Sequence, residues 1–456
     1  MRYAISDIPT IHRLLKSRWL QWSLTTLTLA FFVLAIIAGL AGTPAGNRNF
    51  GIVFVWIVWW ALLILMLVPF AGRLWCGVCP IPAPGEWLQR RALIRPRPGG
   101  KLYTLGKKWP KAFRNIWLQN AGFLGVALFS AVILTTPLVT ALVLLGFVIV
   151  AISTSLVFER RTFCRYLCPV GGFIGLYSQV APIELRVKDT AVCAAHNEKT
   201  CYTGSDDGYG CPWMVFPGGL ISNMNCGLCT ECLKTCTQNN IALFVRPPGE
   251  DLLKTTGHKL DEAYKALIML ACAIIYSAVL IGPWGILKET AAAVGTPAWF
   301  VYAAGFLLLN LAILPGLFWL AVRAGKWIDK PASTARMSMR KLFSDYASVL
   351  VPLGLTAWMA FTLSFVLINF SYAWPVLSDP FGWGWNLLGT AGLSWTPYLP
   401  GLVPYIQVPV MLIGLTSAVA LALRTARQHG QTARASLPVV AFSTMATIGL
   451  LWLLLA

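Results

Sequence analysis

Seven of the twelve cysteines in this chain of 456 residues fall within one polar stretch, Cys193 to Cys236. Four of them make the run Cys226-Gly-Leu-Cys229-Thr-Glu-Cys232-Leu-Lys-Thr-Cys236. The spacing C-x2-C-x2-C-x3-C is that of a bacterial ferredoxin. Gaps of two let one loop reach three iron corners of a 4Fe-4S cluster, and the last cysteine of the run serves a second cluster. The fourth corner of the first cluster needs a thiolate from elsewhere, and Cys211, followed by Pro212, is the obvious donor. Cys236 then belongs with Cys193 and Cys201 in a second cluster, whose last corner is open to His196, to a thiol from a Cys-Pro motif, or to no protein ligand. Zinc is the competing reading, because paired C-x2-C knuckles also bind it. Zinc ribbons, however, set their two pairs about a dozen or more residues apart, and three cysteines at successive gaps of two suit a cubane better.

Four more thiols form a second constellation, Cys76-x2-Cys79-Pro80 and Cys164-x3-Cys168-Pro169. Each pair ends an apolar run, and the proline that follows stops the helix and turns the chain. The two segments are an internal repeat, and repeats in membrane proteins commonly meet at a shared site. Four converging sulfurs are enough for a third metal centre. The alternatives are reduced structural thiols, or two dithiol pairs with redox or copper-handling roles. Cys272, alone inside an apolar run, reads as a small buried hydrophobe.

The elements that must position these cysteines are membrane helices. The chain is 57% hydrophobic and 12% charged, against about one-quarter charged residues in a soluble domain. Runs of about 20 apolar residues, enough to cross a bilayer core, lie near Gln21–Ala41, Phe50–Gly72, Ile116–Thr136, Pro137–Phe158, Tyr264–Leu287, Ala298–Val322, Ala347–Phe370, Tyr405–Leu423 and Leu437–Leu455. The net charge of +19 is spread over short stretches between these runs. That is the positive-inside distribution of a multi-pass protein and not a nucleic-acid-binding surface. With nine spans, every lysine and arginine except Arg48 and Lys288 falls on the cytoplasmic side. The amino terminus is then cytoplasmic and the carboxyl terminus outside the inner membrane, with all cysteines but Cys272 in a reducing compartment.

The expected fold is an all-α polytopic membrane protein of about nine transmembrane helices with a small cytoplasmic ferredoxin-like insert. It divides into a four-helix repeat with both Cys-Pro motifs (1–158), an iron-sulfur domain (159–262) and a five-helix membrane domain (263–456). Met1 to Leu20 is basic and mildly amphipathic, suited to the membrane surface. The outer loop Ser371–Pro404, rich in tryptophan, reads as an aromatic belt, or as a docking surface or a lid over a quinol site. His12, His196, His258 and His429 all lie outside the spans, so no haem is expected. No Gly-rich fingerprint points to NAD or ATP.

At the Cys-Pro motifs together with the ferredoxin run, over about Trp56 to Val245, the sequence resembles the NosR/NapH family of polytopic iron-sulfur membrane proteins. The resemblance implies two 4Fe-4S clusters and a role in moving electrons from quinol or a cytoplasmic donor toward a periplasmic or membrane partner. A redox partner protein and a quinone are therefore the expected partners, besides the lipid bilayer. A second implied class is a CcoG-like factor, whose Cys-Pro thiols would reduce or pass on copper during assembly of an oxidoreductase. A third class, a transporter regulated by a redox-sensing domain, rests only on the five additional spans.

Overall fold

A computed structural model describes residues 2–96, 102–254, 258–282, 284–329 and 338–455. Parts of the basic loops expected at Glu86–Arg114 and Arg323–Lys341 therefore lie outside the described residues. The chain is mostly helical. Among the described residues, eight helices are long and apolar enough to cross a membrane: Arg18–Ala41, Phe50–Ala71, Pro137–Val157, Leu260–Ile281, Pro297–Ile328, Met339–Ser378, Pro400–Gln428 and Ala433–Leu455. The ninth expected span, Ile116–Thr136, is instead two shorter helices, Trp117–Leu128 and Ser130–Ile133, parted at Phe129. The break falls next to Ser130 and follows Gly122 and Gly125, all weaker helix formers than alanine or leucine. Other spans outrun expectation. Pro297–Ile328 has 32 residues, about 48 Å of helix at about 1.5 Å per residue against a hydrocarbon core of about 30 Å.

Contacts divide the chain into two compact units, cut differently from the sequence boundaries at 158 and 262. One unit is Met1–Ile37, Met66–Gly122 and Ala141–Asp251, and the other is Ala38–Leu65, Phe123–Thr140 and Leu252–Ala456.

In the first unit the polar insert is built on a small antiparallel sheet. Strand β1 is Tyr3–Ala4, β2 is Ile183–Val187 and β3 is Ile241–Val245, in the order β1-β3-β2. Tyr3 pairs with Val245, and Ile183 pairs with Val245 from the other side. The amino-terminal segment is thus part of the insert's sheet. Its helix Pro9–Lys16 turns Leu15 onto the core formed by Leu185, Leu228, Leu233 and Ile241. Burying each of these aliphatic side chains contributes about 1.5–3 kcal/mol, which fixes the floor under the cysteine run.

The second unit packs around aromatic rings. Trp358, 1% exposed, meets Trp60, Phe123, Tyr276 and Phe361 edge-on and donates from Nε1 to the Met269 carbonyl at 3.0 Å. Cys272 is buried there, its thiol 3.4 Å from Asn310 Oδ1. Near the ends of these helices His429 lies 3.3 Å from Asp345, and His258 lies 3.5 Å from Glu262.

Candidate metal centres

The first site grows from the helix ends of the repeat. Cys76 sits in the short helix Leu74–Gly77 that follows the Phe50–Ala71 span, and its amide donates to the Arg73 carbonyl at 2.9 Å. Cys164 lies in the wide turn Phe163–Leu167, and Cys168 caps the helix Pro169–Tyr177, with the Gly171 N–H donating to its sulfur at 3.2 Å. Position 171 is tight: a Cβ there would lie 3.1 Å from the Cys164 carbonyl and 3.4 Å from the Cys168 sulfur.

These four thiols are electrostatic neighbours. Burial pushes Cys79 up, and Cys76 and Cys168 add to the effect. Burial likewise pushes Cys164 up against the pull of Arg161, with Cys168, Cys79 and Cys76 adding. Cys168 is pushed up to about 11 by burial, against the Gly171 N–H.

The second site is the run itself. Leu228 and Thr230 hold φ of 47° and 59°. These left-handed conformations cost about 1–2 kcal/mol each for residues with a Cβ, and they curl the loop inward. Cys211, Cys226, Cys229 and Cys232 all line one cavity, together with Trp213 and Gly227. Gly227 is required by close approach, since a Cβ there would fall 2.0 Å from the Trp213 indole nitrogen. Burial pushes Cys229 up to about 12. It also raises Cys232, to which Cys229, Cys226 and Cys211 add.

The remaining three cysteines gather beside this site. Cys201 is pushed up to about 11 by burial, then by Cys236 and Cys193, and also by Cys211. Asn240 Nδ2 donates to the Cys193 sulfur at 3.2 Å. His196 turns Nδ1 to the Val192 carbonyl at 3.0 Å.

At both four-thiol sites a backbone N–H two residues along pulls the thiol's pKa down: Ile81 at Cys79, Val170 at Cys168, Leu228 at Cys226 and Glu231 at Cys229. Such donors favour thiolate, and a bound cation would deprotonate a coordinating thiol outright.

Arginines and a tryptophan complete the setting, and sequence reading had assigned them no role. Arg161, 6% exposed, forks onto the Glu86 carboxylate, with Nη2 at 2.7 Å, and donates from Nη1 to the Cys76 carbonyl at 2.5 Å. Burial alone would push the Glu86 carboxyl up, but Arg161 and then Arg90 outweigh it and hold it below the usual range. Arg73, 4% exposed, donates to the Met224 carbonyl and lies 4.1 Å over the Trp213 ring. Arg160 donates to the Cys211 carbonyl at 2.6 Å, and Arg165 to the Trp213 carbonyl at 2.5 Å. The only sequence signal was the density of arginines after the second Cys-Pro span, which positive-inside orientation explains equally well.

Among the described residues no three His, Cys, Asp or Glu side chains close on a single ion. A cluster differs from one ion in holding its thiolates apart with iron and sulfide. The fit rests on the shared cavity and on buried donors: Trp213 Nε1, Arg73 Nε and Arg73 Nη2 have no acceptor among the described residues. Four thiols on a mostly apolar cavity, with unbonded N–H donors on Trp213 in its lining and on Arg73 over that ring, suit an anionic iron-sulfur cluster.

Residues 52–101 and 139–188 each match a family described as a 4Fe-4S binding domain, Fer4_5. Each match contains one Cys-Pro motif, and neither reaches the run Cys226–Cys236. No curated protein and no solved structure matches this chain. The double match supports an iron-sulfur protein, carried on helices of membrane-spanning length.

Proposed function

We propose that this chain is a membrane-bound iron-sulfur protein that passes single electrons between quinol or a reduced cytoplasmic carrier and a periplasmic or membrane-bound redox partner, in the manner of the NosR/NapH proteins it resembles. The observation that carries the reading is that Cys211, Cys226, Cys229 and Cys232 line one cavity together with Trp213, whose indole N–H has no acceptor among the described residues.

These four thiols would hold one 4Fe-4S cluster. Cys76, Cys79, Cys164 and Cys168 would hold a second centre, and Cys193, Cys201 and Cys236 would be three ligands of a further one. When bound, such clusters supply one-electron chemistry at a potential set by charge, hydrogen bonds and burial. The protein's part is to exclude water and to place guanidinium and amide N–H groups beside the thiolates. Its orientation follows the positive-inside distribution, with the cysteine sites on the cytoplasmic side.

The test is iron and acid-labile sulfide counting with reduced-state EPR on anaerobically purified protein. About eight irons per chain corresponds to two clusters and about twelve to three. One zinc with no iron would overturn the proposal. Copper held by Cys76, Cys79, Cys164 and Cys168, and lost on Cys76→Ser, would favour the CcoG-like role in metal delivery.

A further inference from the structure

We infer that Arg73 and Arg161 are shared by the Cys-Pro site and the ferredoxin-type site, so that the two centres form one electrically linked pair whose potentials move together. The inference rests on the reading above that both sites hold clusters.

The two cysteine loops lie against each other. A Cβ on Gly77 would sit 3.6 Å from the Gly227 and Leu228 carbonyls and 3.7 Å from Cys229 Cα, ordinary contact between neighbouring backbones. Arg161 stands at this seam. Its side chain bonds the Cys76 carbonyl at 2.5 Å, while its backbone N–H donates at 3.1 Å to the carbonyl of Pro212, next to Cys211. Arg73 bridges the other way. Its carbonyl accepts the Cys76 amide, and its guanidinium reaches Met224 and Trp213, beside Cys226 and Cys211.

The electrostatics agree with this geometry. Cys164 and Cys229 both act on Arg161, and Arg73 acts on both Cys168 and Cys226. Guanidinium is the suitable group, because it stays charged when buried and its planar fork is locked by a carboxylate. Glu86 provides that lock through a two-pronged ion pair and offsets part of the positive charge.

A reduced cluster carries one more negative charge than an oxidised one, so a nearby cation raises its potential and a nearby anion lowers it. Redox-poised EPR on the purified, cluster-loaded protein tests the sharing. Arg161→Gln is expected to move the midpoint potentials of both sites downward, and Glu86→Gln to move both upward, read on preparations matched to the parent in iron and sulfide content. A purely structural role would not reverse sign between the two partners.

A shift confined to one site, or none in either, at full iron content would overturn the inference and leave the cluster assignment standing. If Arg161→Gln does not fold, Glu86→Gln and Arg73→Gln carry the test through their opposite expected signs. Iron content in the parent that is unchanged by Cys164→Ser would overturn it differently, by removing the cluster at the Cys-Pro site itself.

Discussion

The proposed ferredoxin-type site would take three thiols from a single loop, whereas the proposed Cys-Pro site would take two from each of two helix ends far apart in the chain. The loop site is shaped by its own backbone, with Leu228 and Thr230 held left-handed so that the cysteines face inward. The helix-end site is shaped by partners from a distance. Gln119 donates to the Cys164 carbonyl at 3.2 Å, and Arg161 ties Cys76 to Glu86. A site built locally fails mainly through its own ligands and its own turns. One assembled from two segments also fails through side chains that touch no metal.

The largest effect expected is on the loop site. Cys229→Ser with Cys232→Ser should remove about four irons per chain and abolish one EPR signal while sparing that of the Cys-Pro site. Equal loss of both signals would break the contrast. Next comes Glu86→Ala, which strands the buried Arg161 guanidinium and should cost about 3–5 kcal/mol of stability, read as an earlier thermal transition in detergent. Its damage should appear first as iron loss from the Cys-Pro site.

A matched pair of glycines sharpens the comparison at smaller scale. Gly227→Ala drives a methyl to 2.0 Å from the buried Trp213 ring, an overpacking worth about 1–3 kcal/mol, and should make the loop cluster quicker to bleach in air. Gly77→Ala meets only contacts at 3.6 Å and beyond and should bleach at the parental rate. The smallest effect is Cys272→Ser in the second unit, where the thiol is bonded to Asn310. Iron and sulfide counts should match those of the parent.

Much of this was legible in the residues. Hydropathy placed eight unbroken apolar helices, because a run of about 20 apolar residues has few other uses. It overextended at Ile116–Thr136, where composition stays apolar across a backbone break at Phe129, and at Tyr264–Leu287, whose helix stops at Ile281 before a separate helix at Gly285–Ala292. The run Cys226–Cys236 and the Cys-Pro repeat were both visible as spacing. The emphasis nevertheless differs: the family match falls on the repeat, which spacing alone presents as the lesser site.

What stayed hidden was long-range. Arg73 and Arg161 look like two more basic residues at a membrane edge, and nothing in the sequence says that they turn inward to Met224 and Glu86. Trp213 looked like one tryptophan among 20. Strand β1, two residues long, is too short for any alternation to show.

That short strand has a consequence for biogenesis. Tyr3 and Ala4 find their partners at Val245 and Phe244, so the edge of the sheet stays empty while more than two hundred further residues are translated. At about 5–20 residues per second the delay is on the order of tens of seconds, during which several hydrophobic segments must be threaded into lipid. The amino-terminal strap therefore closes late over a nearly complete insert, and a bulky tag fused ahead of it would burden the last step of maturation rather than the first.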